Sequence, residues 1–170
     1  YFHIVPFQYL YYILQKLFFM QDKIEIISKN RKAFYSYTII DKYEAGLILL
    51  GSEVKSLREK KLTLKDSFVT IKKDRFFLVN AHISPYSHTG IGGHDPVRSR
   101  ELLLHKREII KLKNVVAQKG LTIVPLKAYF KRGIAKVEFA TAKGKKMYQK
   151  KEALKIKDLD REASREMRRR

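Results

Sequence analysis

The chain contains no cysteine among its 170 residues. This absence excludes a disulfide framework, cysteine-ligated zinc, iron–sulfur clusters and thiol catalysis, and it is compatible with a reducing cytosol. Acidic residues are also scarce, because 17 Asp and Glu stand against 37 Lys and Arg, for a formal net charge of +20. So large a positive charge on a small chain predicts a polyanionic partner, most often a nucleic acid. The length suits one compact domain with tails, or at most two small domains.

No segment of the sequence has the length and apolarity of a membrane span, which needs about 20 apolar residues. The most apolar part is residues 1–19, which hold 8 of the 20 Phe and Tyr residues, but Pro6, Gln8, Gln15 and Lys16 interrupt it. A secretory signal pattern is not visible there. The composition changes abruptly at Met20, so our preferred interpretation is that translation starts at Met20 and that residues 1–19 are an upstream or non-native extension. A membrane-associated amphipathic anchor and a packed N-terminal helix are the alternatives.

Hydrophobic patterning from Met20 onward predicts five or six short strands and two or three helices. Residues 35–51 are expected to be extended, with a bulge at Gly46, and a helix over 53–61 is expected to be capped by Ser52. Residues 68–71 and 76–79 form a predicted hairpin, followed by a loop over 80–96. Asp95-Pro96 is expected to open a helical region that includes Leu102 and Leu103 and stops at Gly120. Strands are predicted over 121–130 and 134–140.

This pattern favours a mainly β fold with flanking helices, built as a small closed antiparallel barrel of the kind common in nucleic-acid-binding modules. The predicted RNA-binding domain spans residues 20–142. Residues 143–170 carry 12 basic and 5 acidic residues with few apolar ones. They are therefore predicted to be a basic tail that is disordered when free.

The sequence contains no evident catalytic or metal-binding constellation. His82, His88 and His94 are six residues apart, a spacing that matches no common metal motif, and they are expected to be loop or surface residues. The Gly90–Gly93 run lacks the Gly-Lys-Ser/Thr of a phosphate-binding loop and is expected to be a flexible connection. Asp41, Glu44 and Glu53 are expected to be partners of local cations.

Basic residues interleaved with aromatic ones are the most informative local feature. Residues 29–32 are followed by Phe34, Tyr35 and Tyr37. Cations track phosphates and flat rings stack on exposed bases, although a solvated basic stretch that leads into a core strand has the same composition. Arg98 and Arg100 stand where a helix is expected to begin, a position that suits a phosphate.

Several short strings occur together in a specific order and spacing. They are 30–33 (NRKA), 43–47 (YEAGL), 50–58 (LGSEVKSLR), 66–68 (DSF), 83–86 (ISPY), 95–100 (DPVRSR), 102–104 (LLL) and 144–146 (GKK). Each string alone is weak, but together they resemble the bacterial SsrA-binding protein family, small protein B or SmpB, over residues 24–170.

The resemblance implies an oligonucleotide-binding-like closed barrel and a cytoplasmic, non-enzymatic protein of trans-translation that needs no cofactor. Members of the family bind the tRNA-like domain of transfer-messenger RNA (tmRNA, SsrA) and carry it to stalled ribosomes. Their C-terminal tail enters the empty mRNA channel and folds as a helix there. The implied partners are therefore tmRNA and the ribosome, including the rRNA of the decoding centre and the mRNA channel, and no stable membrane association is expected.

The resemblance implies that Asn30, Arg31 and Glu44 support binding of the tRNA-like domain and that residues 102–104 include a contact position. With the basic residues noted above, the predicted RNA-binding residues are Asn30, Arg31, Lys32, Glu44, Arg98, Arg100 and Leu104, and the predicted ribosome-binding tail residues are Lys143, Lys145, Lys146, Tyr148, Lys150, Lys151 and Lys155. The chain departs from the family pattern after GKK, where Gln149 and Lys151 replace the usual Asp and Arg. Lysine lacks the planar fork of arginine, so bidentate phosphate contacts are not expected from Lys151.

Three other functions fit parts of the sequence. A generic ribosome-associated protein that binds single-stranded RNA would share the barrel but would not need a tail that threads into the ribosome. A membrane-anchored basic protein would use residues 1–19. An RNA-processing enzyme would need a cluster of carboxylates or histidines that the sequence does not show.

Overall fold

The computed structural model of the protein describes residues 24–86, 93–117, 120–149, 151, 152, 159, 162 and 165–167. The predicted extension over 1–19, the start at Met20, His88, and the predicted tail residues Lys150 and Lys155 lie outside the described residues.

The described chain forms one seven-stranded antiparallel sheet, a separate two-stranded sheet and three helices, which confirms the mainly β fold with flanking helices. The elements are β1 (Ile24–Lys29), α1 (Arg31–Ser36), β2 (Tyr37–Leu47), α2 (Gly51–Arg58), β3 (Leu62–Thr63), β4 (Phe68–Lys72), β5 (Arg75–Val79), β6 (His82–Ile83), β7 (Arg100–Leu103), α3 (Lys106–Val116), β8 (Leu121–Lys131) and β9 (Ile134–Gly144). The strand order of the large sheet is β1-β8-β9-β2-β7-β5-β4, and β3 pairs with β6.

Three strands of 11 residues, β8, β9 and β2, form the middle of the large sheet. A two-residue turn joins β8 to β9, with Arg132 at φ +52° and Gly133 at φ +77°, and the β4–β5 hairpin turns in the same way at Lys73 and Asp74. Positive φ at both turn positions gives the twist that neighbouring strands require. The predicted strands over 121–130 and 134–140 and the predicted hairpin over 68–79 are confirmed.

The sheet buries apolar side chains on both faces, but unequally. Alternate residues of the central strands, such as Ala45, Val137 and Phe139, enter the main core with α2 and α3. The other face carries polar side chains and one small apolar cluster, which consists of Ala33, Val124, Leu126, Ala140 and Ala142. Ala33 belongs to α1, so this short helix covers one end of the face that we call the outer face.

The prediction of a closed barrel is wrong for the described residues, because no ladder joins the edge strands β1 and β4 and the sheet stays open. Strand β4 has five residues and approaches β8 without forming a ladder with it. Strands β3 and β6 pair with each other in a separate short sheet and are not part of the larger one. The chain therefore curves its sheet around the core without closing it.

The prediction of one helix start is also wrong, and one helix was not predicted. Residues Arg100–Leu103 form strand β7, and the helix begins only at Lys106. In β7, Arg100 and Leu102 point into the core while Glu101 and Leu103 point outward, which is the alternation of a strand. The consecutive leucines at 102–104 hide this alternation and resemble the apolar face of a helix. Residues Arg31–Ser36 form α1, capped by the Asn30 side chain, although no helix was predicted there and the chain was expected to be extended from residue 35.

Two details of β2 and α2 differ from the expectation. The irregularity in β2 lies between Ile39 and Asp41, whereas Gly46 pairs regularly with both Lys136 and Leu103. Helix α2 begins at Gly51 and is not capped by Ser52. Instead, the Glu53 carboxylate reaches back and its Oε2 accepts from the backbone N–H of Leu50 at 2.8 Å.

Glu53 is at the centre of a buried ion network. Its side chain is fully buried, and its Oε1 accepts from Arg98 Nε at 2.8 Å and from Arg100 Nε at 2.9 Å. Burial opposes ionisation of this carboxyl, but the hydrogen bonds from Arg98 and Leu50 and the charge of Arg100 outweigh it and lower the pKa of Glu53. Arg100, also fully buried, donates to the carbonyl oxygens of Ala81, Arg98 and Pro96. The network thus joins α2 to β7 and to the chain around Ala81.

We predict that Glu53→Gln lowers the free energy of unfolding by about 3–5 kcal/mol, because it leaves the buried Arg100 charge without its counter-ion. Urea unfolding measures the change, and Lys111→Ala on the exposed side of α3 is the control, with an expected effect within about 0.5 kcal/mol.

The pH dependence checks the cause. The pKa of Glu53 is lowered from its usual value of 4.5, so its stabilising contribution is complete above pH 4.5 and disappears only as the pH falls through the lower folded-state pKa. The difference between wild type and Glu53→Gln should therefore be constant from neutral pH down to about 5.5 and shrink in stronger acid. A difference that already shrinks between pH 7 and 5.5 would contradict the ionic explanation.

Candidate nucleic-acid interface

Asn30 fixes helix α1 on the outer face of the sheet. The Asn30 Oδ1 accepts from Ala33 N at 3.2 Å, and its Nδ2 donates to the carbonyl oxygen of Pro125 in β8 at 3.0 Å. Its backbone N–H also donates to Leu126 O at 2.7 Å. Asn30 is buried, so it positions α1, whereas the neighbouring Arg31 is exposed to solvent.

A cleft of about 280 Å³ opens beside α1 on this face. Its floor is apolar, formed by Phe34 and Leu126, and its other lining residues are Lys29, Arg31, Lys42, Lys127 and Glu138. Four cations therefore converge from β1, α1, β2 and β8 around one concave surface. Of these four cations, Arg31 was predicted to bind RNA and Lys29 belongs to the basic stretch 29–32, whereas Lys42 and Lys127 were not predicted, although alternation along the strands places both on the polar face.

Glu44 lies on the same face, in β2, and binds two neighbours. Lys136 Nζ donates to Glu44 Oε1 and the Tyr129 hydroxyl donates to Glu44 Oε2. The hydrogen bonds from Lys136 and Tyr129 lower the pKa of Glu44, and burial, with the Glu44 charge in addition, raises the pKa of Tyr129. Glu44 is thus an anion and Tyr129 a neutral hydrogen-bond donor at physiological pH. Glu44 was expected to pair with a local cation, and the structure identifies that cation as Lys136.

A second carboxylate on this face is paired in the same manner. Glu138 lies opposite Glu44 on β9, and its Oε2 is 2.8 Å from Lys127 Nζ. Lys127 Nζ also lies 5.4 Å from the centre of the Tyr129 ring. Each acid is therefore bound to a lysine, so the carboxylates orient cations and do not form a separate anionic patch. The face keeps a net positive charge, since five cations (Lys29, Arg31, Lys42, Lys127, Lys136) accompany two carboxylates.

The leucines of β7 differ in accessibility. Leu102 is buried and Leu104 is half-buried against the main core, whereas Leu103 is 57% exposed. Leu103 pairs with Gly46, two residues from Glu44, and its Cβ lies 3.5 Å from the position that a Cβ on Gly46 would occupy. The most accessible apolar side chain of this segment is therefore Leu103, whereas the half-buried Leu104 stays a prediction for the RNA surface. Reading 100–103 as a strand would have indicated Leu103.

The remaining predicted RNA-binding residues lie elsewhere. The Arg100 side chain is fully buried against Glu53, so the structure contradicts its prediction as an RNA contact. Arg98 is bound to the same carboxylate and is mostly covered. Lys32 is exposed but lies on the opposite side of α1 from the four-cation cleft, where its Nζ is 2.8 Å from Asp66 Oδ1.

The predicted tail begins inside regular structure. Lys143 belongs to β9 and pairs with Thr38 and Leu121, so the strand extends past the predicted boundary. Lys145 N donates to Ser36 O at 2.9 Å, and Lys145 Nζ donates to Phe34 O at 3.1 Å, which ties this segment to α1. Beyond it, Lys146, Tyr148 and Lys151 are exposed, and residues 147–149, 151 and 152 are helical.

Both His82 and His94 agree with the expectation of loop or surface positions. His82 is exposed, and His94 lies in the loop before β7. The His94 side chain is buried between α2 and β6, with its Nδ1 3.0 Å from Ser52 Oγ and its Nε2 3.2 Å from Ile83 O. Within the described part of the chain, no group of three or more His, Asp or Glu could hold a metal ion. The helices of that part include none with the length and apolarity to cross a membrane.

Comparison with known proteins agrees with the resemblance. The family model described as "SmpB protein" matches residues 27–169. The SsrA-binding protein of Sulfurihydrogenibium sp. is 57% identical over 81% of this chain and 91% of the relative, and that of Enterococcus faecalis is 52% identical over 83% and 92%. A chain of the solved structure described as "tmRNA-SmpB: a journey to the center of the bacterial ribosome" is 47% identical, with a TM-score of 0.60 over 71% of this chain and 85% of that chain.

A family match over most of the chain, together with relatives of about half identical sequence, leaves one assignment: this chain belongs to the SmpB family.

Proposed function

We propose that this protein is the RNA-binding adaptor of trans-translation: it binds the tRNA-like domain of tmRNA and delivers it to stalled ribosomes in the cytoplasm. The relatives named SsrA-binding protein and the structural neighbour described as tmRNA-SmpB support this assignment. The observation that carries it in this structure is the outer face, where cations from several elements surround an apolar cleft beside the Glu44 contacts.

Each part of the outer face has a role in this proposal. Arg31, Lys42 and Lys127 contact phosphates, because cations that converge on a concave surface neutralise the closely spaced charges of a folded RNA backbone. Glu44 does not approach phosphate itself but holds Lys136 and Tyr129 in position. Leu103 supplies an apolar contact beside them. The site therefore recognises the shape of a folded RNA through fixed cations, as double-stranded and tRNA-like elements require.

We predict that Arg31→Ala removes one phosphate contact and reduces the salt dependence of binding to the tRNA-like domain by a slope of about 1. Electrophoretic or fluorescence titrations between about 50 and 200 mM salt give the slope. Arg58→Ala, which removes an exposed arginine from α2, is the charge-matched control and should change the slope by less. An unchanged slope in folded Arg31→Ala protein would remove Arg31 from the interface.

We predict that Glu44→Gln weakens specific binding to the tRNA-like domain while leaving nonspecific RNA binding nearly unchanged, because it disturbs the position of Lys136 and Tyr129 without removing a cation. Tyr129→Phe breaks the same contact from the other side. The two variants should therefore be non-additive, with a coupling of about 0.5–3 kcal/mol in a double-mutant cycle. Strictly additive losses would show that Glu44 and Tyr129 act independently.

We further propose that the tail acts on the ribosome and not in binding tmRNA. In this proposal the helix that begins at residues 147–149, 151 and 152 enters the empty mRNA channel, where rRNA phosphates balance the positive charge of the tail. The exposed ring of Tyr148 would stack on a base of the decoding centre, and Lys151 would contact a phosphate. Lys143 and Lys145 belong to the root of the tail, which β9 and α1 hold.

We predict that truncation after Lys146 preserves specific affinity for the tRNA-like domain and abolishes tagging on ribosomes without downstream message. This boundary keeps all of β9 and the contacts between Lys145 and α1, whereas a cut at residue 142 would remove ladder residues. A binding assay and a tagging assay on the same truncated protein, with the full chain as control, separate the roles. Intact tagging would contradict the tail mechanism, and collapse of specific binding would contradict the division of roles.

A further inference from the structure

A second cleft, which we call the α1–β4 cleft, lies on the side of α1 away from the four-cation cleft. It has a volume of about 250 Å³ and its lining includes Lys32, Ser36, Tyr37, Asp66, Phe68 and Thr122. Drug-sized ligands occupy pockets of about 300–1,000 Å³, so this cleft suits a smaller group. The residues of this cleft that are used below, Lys32, Tyr37, Asp66 and Phe68, have no role in the outer-face interface proposed above.

Two aromatic rings line the cleft and stay accessible. Phe68, at the start of β4, is 40% exposed, and Tyr37, at the start of β2, is half-buried. Within the described residues the Tyr37 hydroxyl has no hydrogen-bond partner. Accessible flat rings that line a concave site are the feature that proteins use to stack single bases of RNA.

The polar rim supplies both signs of charge in fixed positions. Lys32 Nζ lies 2.8 Å from Asp66 Oδ1, and this hydrogen bond lowers the pKa of Asp66 and raises that of Lys32, so both groups are charged at neutral pH. Ser67, next to Asp66, is buried and its Oγ donates to Leu64 O at 2.6 Å, which holds the turn. A lysine can contact a phosphate, and a carboxylate can accept the amino or imino hydrogens of a base edge.

We propose that the α1–β4 cleft binds one unstacked nucleobase of a structured RNA, with its ring against Phe68 and Tyr37, its phosphate at Lys32 and its edge donating to Asp66. The RNA would be tmRNA or rRNA, so the inference rests on the proposed function. The cleft adjoins the root of the tail, since Ser36 O accepts from Lys145 N and Tyr37 pairs with Gly144. The base that binds here therefore belongs to the RNA that surrounds the point where the tail leaves the domain.

Helix α1 separates this cleft from the four-cation cleft. Arg31 lines the four-cation cleft and Lys32, the next residue, lines the α1–β4 cleft. A change confined to Phe68 should therefore leave the phosphate contacts of Arg31 and their salt dependence intact.

The experiment uses the absence of tryptophan from the chain. In the full-length protein, Phe68→Trp places a single indole in the cleft, and its fluorescence is followed while the isolated tRNA-like domain or purified small ribosomal subunits are added. We expect quenching with one of them, which identifies the RNA that supplies the base. Phe77→Trp, on the neighbouring strand of the same hairpin and outside the cleft, is the control and should respond little. The absence of quenching with both RNAs, or equal quenching of the control, would overturn the proposal.

A second pair of variants does not depend on tryptophan. Phe68→Leu keeps an apolar side chain but loses the flat ring, and it should bind the quenching RNA about 5- to 150-fold more weakly, while Phe68→Tyr should bind like wild type. Wild-type affinity of folded Phe68→Leu would overturn the proposal. The outcomes stay distinguishable from those for the proposed function, because that function fails if the Arg31 and Glu44 variants leave binding to the tRNA-like domain unchanged, whatever Phe68 does.

Discussion

The ionised carboxylate of Glu53, enclosed by Arg98 and Arg100, joins parts of the chain that are far apart in sequence. It connects the start of α2 to the segment before β7, and Arg100 extends the connection to the carbonyls of Ala81 and Pro96. Strand β7 pairs with β5 and β2, and the network adds a side-chain connection from its first residue, Arg100, to α2. Leu103 lies beside Gly46 near the other end of the same strand. A buried ion pair contributes little net stability relative to a well-packed apolar alternative, but breaking it is costly, so it specifies one arrangement of the chain.

The two strings that made the family resemblance most specific meet in this network. LGSEVKSLR supplies Glu53 and DPVRSR supplies both arginines. Judged by residue type alone, Arg98 and Arg100 would suit a phosphate, and for that reason they were predicted to bind RNA. The structure instead uses them inside the domain, and much of the positive charge of the outer face comes from Lys42, Lys127 and Lys136, which lie in strands and form no string. A specific motif therefore identified the family while its residues serve the fold.

The sequence predicted those elements whose periodicity was clear and failed where local capping or pairing decided. β8, β9 and the β4–β5 hairpin alternate regularly and end in turns, so their positions were predictable. β7 has only four residues next to apolar neighbours, and its strand state depends on pairing with β2 and β5, which a local pattern does not show. The open edge of the sheet is likewise a property of long-range pairing. Of the candidate site, Arg31 and Glu44 were predicted and lie on one face, whereas Lys127 and Tyr129 follow from strand register.

Helix α1 has six residues, which is too short to be stable alone, so its position depends on the contacts beneath it. Asn30 binds it to β8 at one end, Lys145 contacts its last turn from the root of the tail, and Ala33 packs on Ala140 and Ala142 between them. Small side chains on both surfaces let the helix lie close to the sheet, and this closeness makes a cleft on each of its sides. Because one short helix forms a wall of both clefts, the outer face, the α1–β4 cleft and the root of the tail share a single structural support. Asn30 is buried in that support, so under the proposed function it acts on RNA recognition through the position of α1 rather than by contact.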